Sequence, residues 1–260
     1  FRYYINANMS FARNKILYMD EVPNEFDYMN QTGGSVGRST NVYKYIRLYQ
    51  YSDFTQDENG NLKLNPALPQ PAVSVAPGDC MYADLNGDKV VDGNDRMTTG
   101  YAERPEYVFG LNAGFNYKGF NFSMQWSGAT NVNKMLQIEY RIPFTNTGKR
   151  GLLEYFYKDC WTPENQLGAK YPRAAETSET WNSENSTLWL RDASYIRLKT
   201  ISIGYTFSKK RFLKAIGANT LGLSISGYNL LTFSPLDIMD PESLGNNNGS
   251  YPLVKIYSLG

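Results

Sequence analysis

The segment 83–96, ADLNGDKVVDGNDR, contains four aspartates and two asparagines, the densest group of oxygen ligands in the chain. Their spacing is that of a calcium loop, in which side chains at positions 1, 3, 5, 9 and 12 and a main-chain carbonyl at position 7 surround one hard cation. The spacing therefore predicts a site for Ca²⁺, with Mg²⁺ as the alternative. The predicted ligands are Asp84, Asn86, Asp88, the carbonyl of Val90, Asp92 and Asp95.

Two positions in this loop depart from the usual calcium-loop pattern. Lys89 stands where the sharp turn favours glycine, and Asp95 stands where a longer glutamate normally binds the ion through both oxygens. Pro77-Gly78 precedes the loop and Thr98-Thr99-Gly100 follows it, so no pair of flanking helices is predicted. A bound ion is therefore expected to be structural, and an Asx-rich turn without an ion is the alternative.

The sequence contains no histidine, which excludes histidine-based catalytic triads and every zinc site that needs an imidazole. No pairing of a nucleophile with a base can be identified, so the chain is not expected to be an enzyme. Cys80 and Cys160 are far apart and form no CxxC motif. A disulfide and two free thiols are both compatible with that spacing.

Charge and hydropathy exclude two further classes of protein. The 26 basic and 25 acidic residues give a net charge of +1, so no nucleic-acid partner is expected. No run of about 18 apolar residues is present, so no transmembrane helix is expected. A membrane barrel is still compatible, because its strands alternate between apolar and polar residues.

Alternation with a period of two residues is the strongest signal in the chain, and 21 Tyr, 13 Phe and 22 Gly also favour an all-β fold. Lys118-Gly119 separates two alternating segments and predicts a hairpin with a very short turn. The alternation slips by one residue near Lys199-Thr200, which predicts a β-bulge. The predicted strands are 1–11, 107–117, 120–127, 201–207, 221–226 and one that begins within 253–260.

These strands are about ten residues long, which is the length of a tilted strand that crosses a bilayer. The connections are short at 118–119 and 208–218 and long at 12–106, 128–193 and 234–252. Short turns on one side and long loops on the other are typical of outer-membrane barrels. The alternative is a secreted β-sandwich that binds carbohydrate and is stabilised by calcium, because the core-facing residues of a sandwich alternate in the same way.

Several segments, in this order along the chain, resemble the C-terminal region of SusC/RagA-type TonB-dependent outer-membrane transporters. The resemblance covers nearly the whole chain and is weaker before Ala76. The segments are PGDCMYADLNGDKVVDGNDR at 77–96, YVFGLNAGFNYKGFNFSMQWSG at 107–128, WTPENQ at 161–166, YPR at 171–173, RDASYIRLKTISIGYTF at 191–207, SGYNLLTFSP at 226–235 and YPLVKIYSLG at 251–260.

This resemblance implies the C-terminal segment of a 22-stranded antiparallel transmembrane β-barrel in the cell outer membrane, with long extracellular loops. It implies import of glycan fragments or peptides with energy from TonB, and a SusD-like surface lipoprotein that covers the outer mouth. Residues 1–260 lack a plug domain and a TonB box, and about six strands cannot enclose a substrate-sized lumen. The chain is therefore expected to be a C-terminal fragment whose plug and earlier strands are absent, with TonB bound through the missing N-terminal region.

Aromatic residues in the long loops allow two interpretations. They can stack on sugar rings, or they can pack the loops against one another. The residues in question are Tyr43, Tyr45, Tyr49, Trp161, Trp181 and Trp189.

Overall fold

The computed structural model describes residues 1–144, 151–175, 180–208, 211–243 and 253–260. The helices are short: α1 (Ile138–Arg141), α2 (Glu154–Asp159), α3 (Thr180–Ser183) and α4 (Arg211–Ala215), with 3-10 helices at Asp27–Met29, Tyr51–Asp53 and Gly93–Asp95. The strands are β1 (Arg2–Phe11), β2 (Ser39–Tyr43), β3 (Tyr45–Leu48), β4 (Phe54–Gln56), β5 (Leu62–Leu64), β6 (Gln70–Pro71), β7 (Cys80–Tyr82), β8 (Val90–Val91), β9 (Arg96–Thr99), β10 (Tyr107–Tyr117), β11 (Phe120–Thr130), β12 (Asn133–Met135), β13 (Leu190–Asp192), β14 (Tyr195–Ser208), β15 (Thr220–Phe233) and β16 (Ile256–Leu259).

The chain divides into two compact units. The first, which we call the strand unit, consists of Phe1–Arg13, Glu103–Asn133 and Asp192–Gly260. The second, the loop unit, consists of Asn14–Ala102 and Lys134–Arg191. The loop unit therefore lies wholly within the two longest connections predicted from the sequence, 12–106 and 128–193.

The strand unit contains a six-stranded antiparallel sheet in the order β1-β10-β11-β14-β15-β16. The hairpin predicted at Lys118-Gly119 is confirmed, since β10 and β11 pair in register on either side of these two residues. Both turn residues have positive φ, 46° at Lys118 and 91° at Gly119. This backbone geometry matches the right-handed twist of the two strands.

The register sorts the sheet into an apolar face and a polar face. Because side chains alternate along each strand, residues that pair across the strands lie in rows on the same face. One row contains Tyr3, Phe115, Phe122, Ile203, Ile225 and Leu259. The adjacent row, on the opposite face, contains Tyr4, Gly114, Ser123, Ser202, Ser226 and Ser258.

The predicted β-bulge is confirmed at Lys199. Thr200 pairs with Gln125 and Leu198 pairs with Trp126, so Lys199 has no partner in β11. Because the bulge takes this extra residue out of the pairing, apolar side chains on both sides of it stay on the same face of the sheet.

The loop unit contains most of the buried apolar side chains. Tyr43, Tyr82 and Trp181 form one group, with ring centroids between 4.8 and 5.5 Å apart. A second group contains Phe156, Tyr171 and Trp189, whose rings are stacked with centroids between 5.5 and 6.4 Å apart. Short strand pairs frame this core: β2–β9, β3–β7, β4–β5 and the parallel pair β6–β8.

Candidate functional site

The acidic loop at 84–95 is held in shape by bonds between its own side chains and its backbone. Asp84 accepts hydrogen bonds from the main-chain N–H groups of Gly87 and Lys89, at 2.6 and 2.9 Å. Asp95, which is buried, accepts from Leu85 at 2.6 Å and from Asp92 at 2.9 Å. Asx-type bonds of this kind fix a tight turn without any ion.

The remaining predicted ligands make the same kind of contact. Asn86 accepts from the N–H of Asp88 at 3.1 Å, and Asp88 accepts from the N–H of Val90 at 2.7 Å. Lys89 has a φ of 67°, so the sharp turn that usually requires glycine forms here with lysine. A carboxylate has several lone pairs, so an accepted hydrogen bond leaves acceptor capacity for a cation.

The acidic side chains of this loop are not grouped as they are in a formed metal site. Among the described residues, no three acidic or cysteine side chains lie close enough together to hold a metal ion. Six oxygens around one centre would require the loop to tighten when the ion binds. Calcium binding at Asp84, Asn86, Asp88, Val90, Asp92 and Asp95 therefore stays a prediction.

The aromatic residues of the loops serve mainly as core. Tyr43, Tyr49, Trp161, Trp181 and Trp189 are buried, so their rings are not available for stacking on a sugar. Their polar atoms are also used within the protein: the indole N–H of Trp181 donates to the carbonyl of Cys80 at 2.9 Å. These five aromatic residues therefore pack the loops against one another, which is the second of the two interpretations drawn from the sequence.

A buried polar network lies beside Cys80. The Oδ1 atom of Asp79 accepts hydrogen bonds from Arg173 at 2.7 Å and from Asn182 at 2.8 Å. Both Cys80 and Cys160 are buried free thiols. Burial raises the pKa of the Cys80 thiol far above its usual value, so it remains protonated and unreactive at neutral pH.

A charged cluster lies at the polar face of the sheet. The buried guanidinium of Arg197 bonds to Asp240 at 2.8 Å and also to Glu242. The carboxylate of Glu242 also accepts hydrogen bonds from the ammonium group of Lys199 at 2.6 Å and from the hydroxyl of Tyr195 at 2.7 Å. Burial opposes ionisation of Glu242, but these bonds and the nearby cations hold its pKa below the usual value.

A groove in the loop unit is a feature that sequence patterns did not indicate. It consists of two adjoining cavities of about 510 and 380 Å³ that share Gln50, Ser52, Gln166 and Leu167. Its walls come from segments more than 100 residues apart in sequence, joined by a hydrogen bond from Gln50 to the carbonyl of Gln166. No local motif marks it, although the amide-rich segment 163–168 supplies one wall.

None of the helices in the described ranges is long and apolar enough to cross a membrane.

Comparisons with known proteins find similarity to TonB-dependent receptors. No protein-family model matches it. TonB-dependent receptor P26 of Formosa agariphila is 29% identical over 272 residues, which cover 97% of this chain and 26% of that receptor. TonB-dependent receptor SusC of Bacteroides thetaiotaomicron is 21% identical and covers all of this chain. The chain spans about a quarter of the length of these curated relatives.

The fold is also that of a solved transporter. The structure of the RagAB peptide transporter matches with a TM-score of 0.67 at 16% identity, over 99% of this chain and 26% of that chain. The RagAB peptide importer in its open-open state matches with a TM-score of 0.66. The resemblance to SusC/RagA-type proteins is therefore confirmed, as is the all-β, antiparallel fold class. The names of these relatives are those of receptors and a transporter, and none of these names describes an enzyme.

Proposed function

We propose that the chain forms the C-terminal strands and outer loops of a TonB-dependent importer in the outer membrane. The single observation that carries this proposal is the open apolar face of the sheet. Ile203 and Ile225 lie in inner strands of the sheet, yet 45% and 63% of their surface is exposed. Exposed apolar side chains in a continuous face mark a surface that meets lipid or another apolar partner.

The opposite face supports the same proposal. Its rows consist mainly of Ser, Asn, Gln, Thr and Gly, which suit a hydrated channel. The four longest strands of the sheet, β10, β11, β14 and β15, have 11 to 14 residues each, enough to cross a bilayer at a tilt. A barrel closed by further strands would pair the outer edges of β1 and β16.

The proposed cargo is an oligosaccharide or a peptide, and the proposed partner is a SusD-like surface lipoprotein at the outer mouth. Energy would come from TonB, bound through a region N-terminal to Phe1. Similarity to SusC and to the RagAB peptide transporter supports this assignment. Calcium bound in the loop 84–95 would stabilise the folded conformation of that loop.

The sheet weighs against the alternative of a secreted sandwich. A sandwich buries its apolar faces between two packed sheets. Apolar side chains of the sheet such as Ile203 and Ile225 are exposed, and the most deeply buried aromatic residues of the described ranges lie in the loop unit instead.

Heat-modifiable migration of the full-length protein tests the proposal. Unheated protein in detergent is expected to migrate as a folded band that shifts after boiling, and the protein is expected to fractionate with the outer membrane. A β-sandwich produced in the same host serves as the control without a band shift. Recovery of the full-length protein from the soluble fraction without detergent would contradict the proposal.

A further inference from the structure

One end of the six-stranded sheet carries basic side chains only. We call it the short-turn end, and it consists of the start of β1, the turn 118–119 and the connection 209–219 between β14 and β15. Neither aspartate nor glutamate occurs in these segments or in any strand of this sheet. The basic residues of the short-turn end are Arg2, Lys118, Lys209, Lys210, Arg211 and Lys214. Of these, Lys209 and Lys210 lie outside the described residues. Basic residues without an acidic residue in the same segments favour an anionic partner.

The segments of the short-turn end lie side by side. The N–H of Thr206, near the end of β14, donates to the carbonyl of Gly119 at 2.7 Å. The side-chain amide of Asn121, at the start of β11, donates to the hydroxyl of Thr206 at 3.3 Å. β1 begins at the same end, since Arg2 pairs with Asn116. Basic residues from three separate segments therefore belong to one rim of the sheet.

Aromatic rings lie on the apolar face next to this rim. The ring centroid of Phe1 lies 5.9 Å from that of Tyr117, and the centroids of Tyr205 and Phe207 are 4.6 Å apart. The exposed side chain of Lys118 places its ammonium group over the ring of Tyr117, 5.4 Å from the centroid. Aromatic rings concentrate where the hydrocarbon of a membrane meets its headgroups. The basic rim would therefore lie at the level of the headgroups.

The short helix α4 extends the apolar face beyond the end of β14. The ring of Phe212 packs against Phe207 with centroids 5.9 Å apart, and Phe207 pairs with Leu221 on the apolar face. Leu213 is buried, whereas Phe212 and Ile216 are 46% and 65% exposed. Exposed apolar side chains flanked by basic residues are the combination that places a helix at the boundary between headgroups and acyl chains.

Charge and apolar surface together favour a lipid over a soluble anion. A soluble phosphate would meet the basic residues alone and leave Phe212 and Ile216 in water. An anionic phospholipid meets both needs, because its headgroup pairs with cations and its acyl chains cover apolar side chains. The exposed apolar surface of α4 is also continuous with the sheet face that is proposed to meet lipid.

We propose that the short-turn end is a docking surface for anionic phospholipids. Its basic residues pair with the phosphate groups, and Phe212 and Ile216 enter the boundary with the acyl chains. This inference rests on the proposed membrane location, in which the short turns face the inner leaflet of the outer membrane. It adds a preference for anionic lipid, which that location does not by itself require.

Thermal unfolding of the full-length protein in uncharged detergent with one added lipid tests the surface, followed by loss of the heat-modifiable band. Phosphatidylglycerol is expected to raise the unfolding temperature more than phosphatidylcholine does, because a ligand stabilises the state that binds it. Glycerol phosphate, which has the charge without the acyl chains, is expected to have no effect.

Two variants separate the charged and apolar parts of the surface. Lys118→Asn, Arg211→Gln and Lys214→Gln together are expected to remove at least half of the extra rise with phosphatidylglycerol, and asparagine tolerates the positive φ at position 118. Phe212→Ser with Ile216→Ser is expected to reduce the rise with both lipids. The control for the charge change neutralises three exposed lysines of the loop unit and is expected to keep the full rise; it combines Lys63→Gln, Lys158→Gln and Lys170→Gln.

Three results would overturn the docking surface: equal rises with the two lipids, a comparable rise with glycerol phosphate, or a full rise in the variant that lacks the three basic residues. The lipid comparison on the wild type needs no substitution, so it decides the question even if a variant does not fold. A heat-modifiable band without any preference for phosphatidylglycerol would leave the membrane location standing. Absence of that band in every lipid would instead contradict the membrane location itself.

Discussion

Single residues of two kinds shape the loop unit. Aspartates such as Asp79 and Asp84 bind main-chain and side-chain donors, and glycines at positive φ allow close approaches of the chain. Gly78 has a φ of 90°, and a Cβ atom there would lie 2.5 Å from Cε3 of Trp161. Because each of these residues makes one kind of local contact, a single substitution is enough to test the effect of that contact.

The first prediction concerns calcium in the acidic loop. Chelation, or Asp84→Ala combined with Asp88→Ala, is expected to increase protease cleavage in 84–95 without removing the heat-modifiable band. The physical reason is that ligand binding stabilises the state that binds. Asp57→Ala is the matched control, since Asp57 accepts N–H bonds from Asn59 and Asn61 in a turn outside the loop. Unchanged cleavage after chelation would favour an Asx-rich turn without an ion.

The second prediction concerns Gly78. Gly78→Ala is expected to destabilise the loop unit by clearly more than Gly60→Ala, measured by tryptophan fluorescence during urea unfolding of the full-length protein. Both glycines have positive φ, which costs an L-residue about 1 kcal/mol. Gly60 has open space around it, whereas Gly78 meets Trp161. Equal losses would show that backbone strain alone matters at both positions.

The third prediction concerns pH. The bonds from Arg47 hold the pKa of Asp53 below its usual value, which outweighs the opposing effect of burial. The folded carboxyl therefore contributes stability that is present above the unfolded pKa of about 3.9 and is lost as the pH falls through the lower, folded pKa. Asp53→Asn is expected to cost about 1 kcal/mol at pH 7, because Arg47 is partly solvated.

Thermal unfolding of the wild type and Asp53→Asn across the acid range measures this difference. The gap between the two proteins should close once the pH lies below the folded pKa of Asp53. Glu58→Gln removes a charge from the same segment and should show no such gap. A difference that persists unchanged into strong acid would contradict the assignment.

Among the elements, β14 depends on its bulge. Lys199 is the extra residue, and its ammonium group bonds to Glu242 at 2.6 Å. The bulge keeps Leu198 and Ile201 on the apolar face although they are three residues apart in sequence. Without it, one half of the strand would present its side chains to the wrong face.

The fourth prediction follows from this geometry. Insertion of one alanine between Thr200 and Ile201 is expected to abolish the folded band, because Ile201, Ile203 and Tyr205 would move to the polar face. Lys199→Ala keeps the extra residue and loses only a partly exposed ion pair, so its folded fraction is expected to remain near that of the wild type. An insertion variant that folds normally would mean that the register adjusts elsewhere.

Elements of the sheet and of the loop unit differ in how well sequence predicts them. The alternation around Lys118-Gly119 and the slip at Lys199 were sufficient to predict a hairpin and a bulge, because each depends on neighbours in sequence. The pairing of Val42 with Met97 was not predictable in this way. Such short strands form where distant segments meet, and three to five residues carry no clear period.

At the scale of the whole molecule, apolar side chains serve two different environments. In the loop unit Trp189 and Tyr82 are almost fully buried, as in a water-soluble protein. In the sheet the apolar face is open, with Tyr3 71% exposed. A bilayer around the sheet would remove this surface from water, so the proposed location accounts for both patterns.

The fifth prediction compares two neighbouring positions of β10. Leu111 lies on the apolar face opposite Trp126, and Asn112 lies on the polar face opposite Gln125. Leu111→Arg is expected to cost about 2–4 kcal/mol in a bilayer, because a charge near the midplane of the lipid is poorly solvated. Asn112→Arg is expected to cost much less. Urea titration of folding into lipid vesicles measures both, and equal costs would contradict a lipid-facing apolar face.

The sequence predicted the candidate site less completely than it predicted the fold. The acidic loop could be recognised in the sequence because its predicted ligands lie within 12 consecutive positions. Calcium binding there stays a prediction. The groove was not visible, because Gln50 and Gln166 meet only after folding. The burial of Trp161 and Trp181 also depends on tertiary contacts that composition does not encode.

The loop unit has a consequence for protein engineering. Its core combines Asn14–Ala102 with Lys134–Arg191, and Asn182 of the second segment bonds to Asp79 and Cys80 of the first. A chimera that received one of these segments from a relative would lose the donor's buried contacts between the two segments. Exchange of the loop unit between relatives should therefore require transplanting both segments together, with the hairpin of β10 and β11 retained from the recipient.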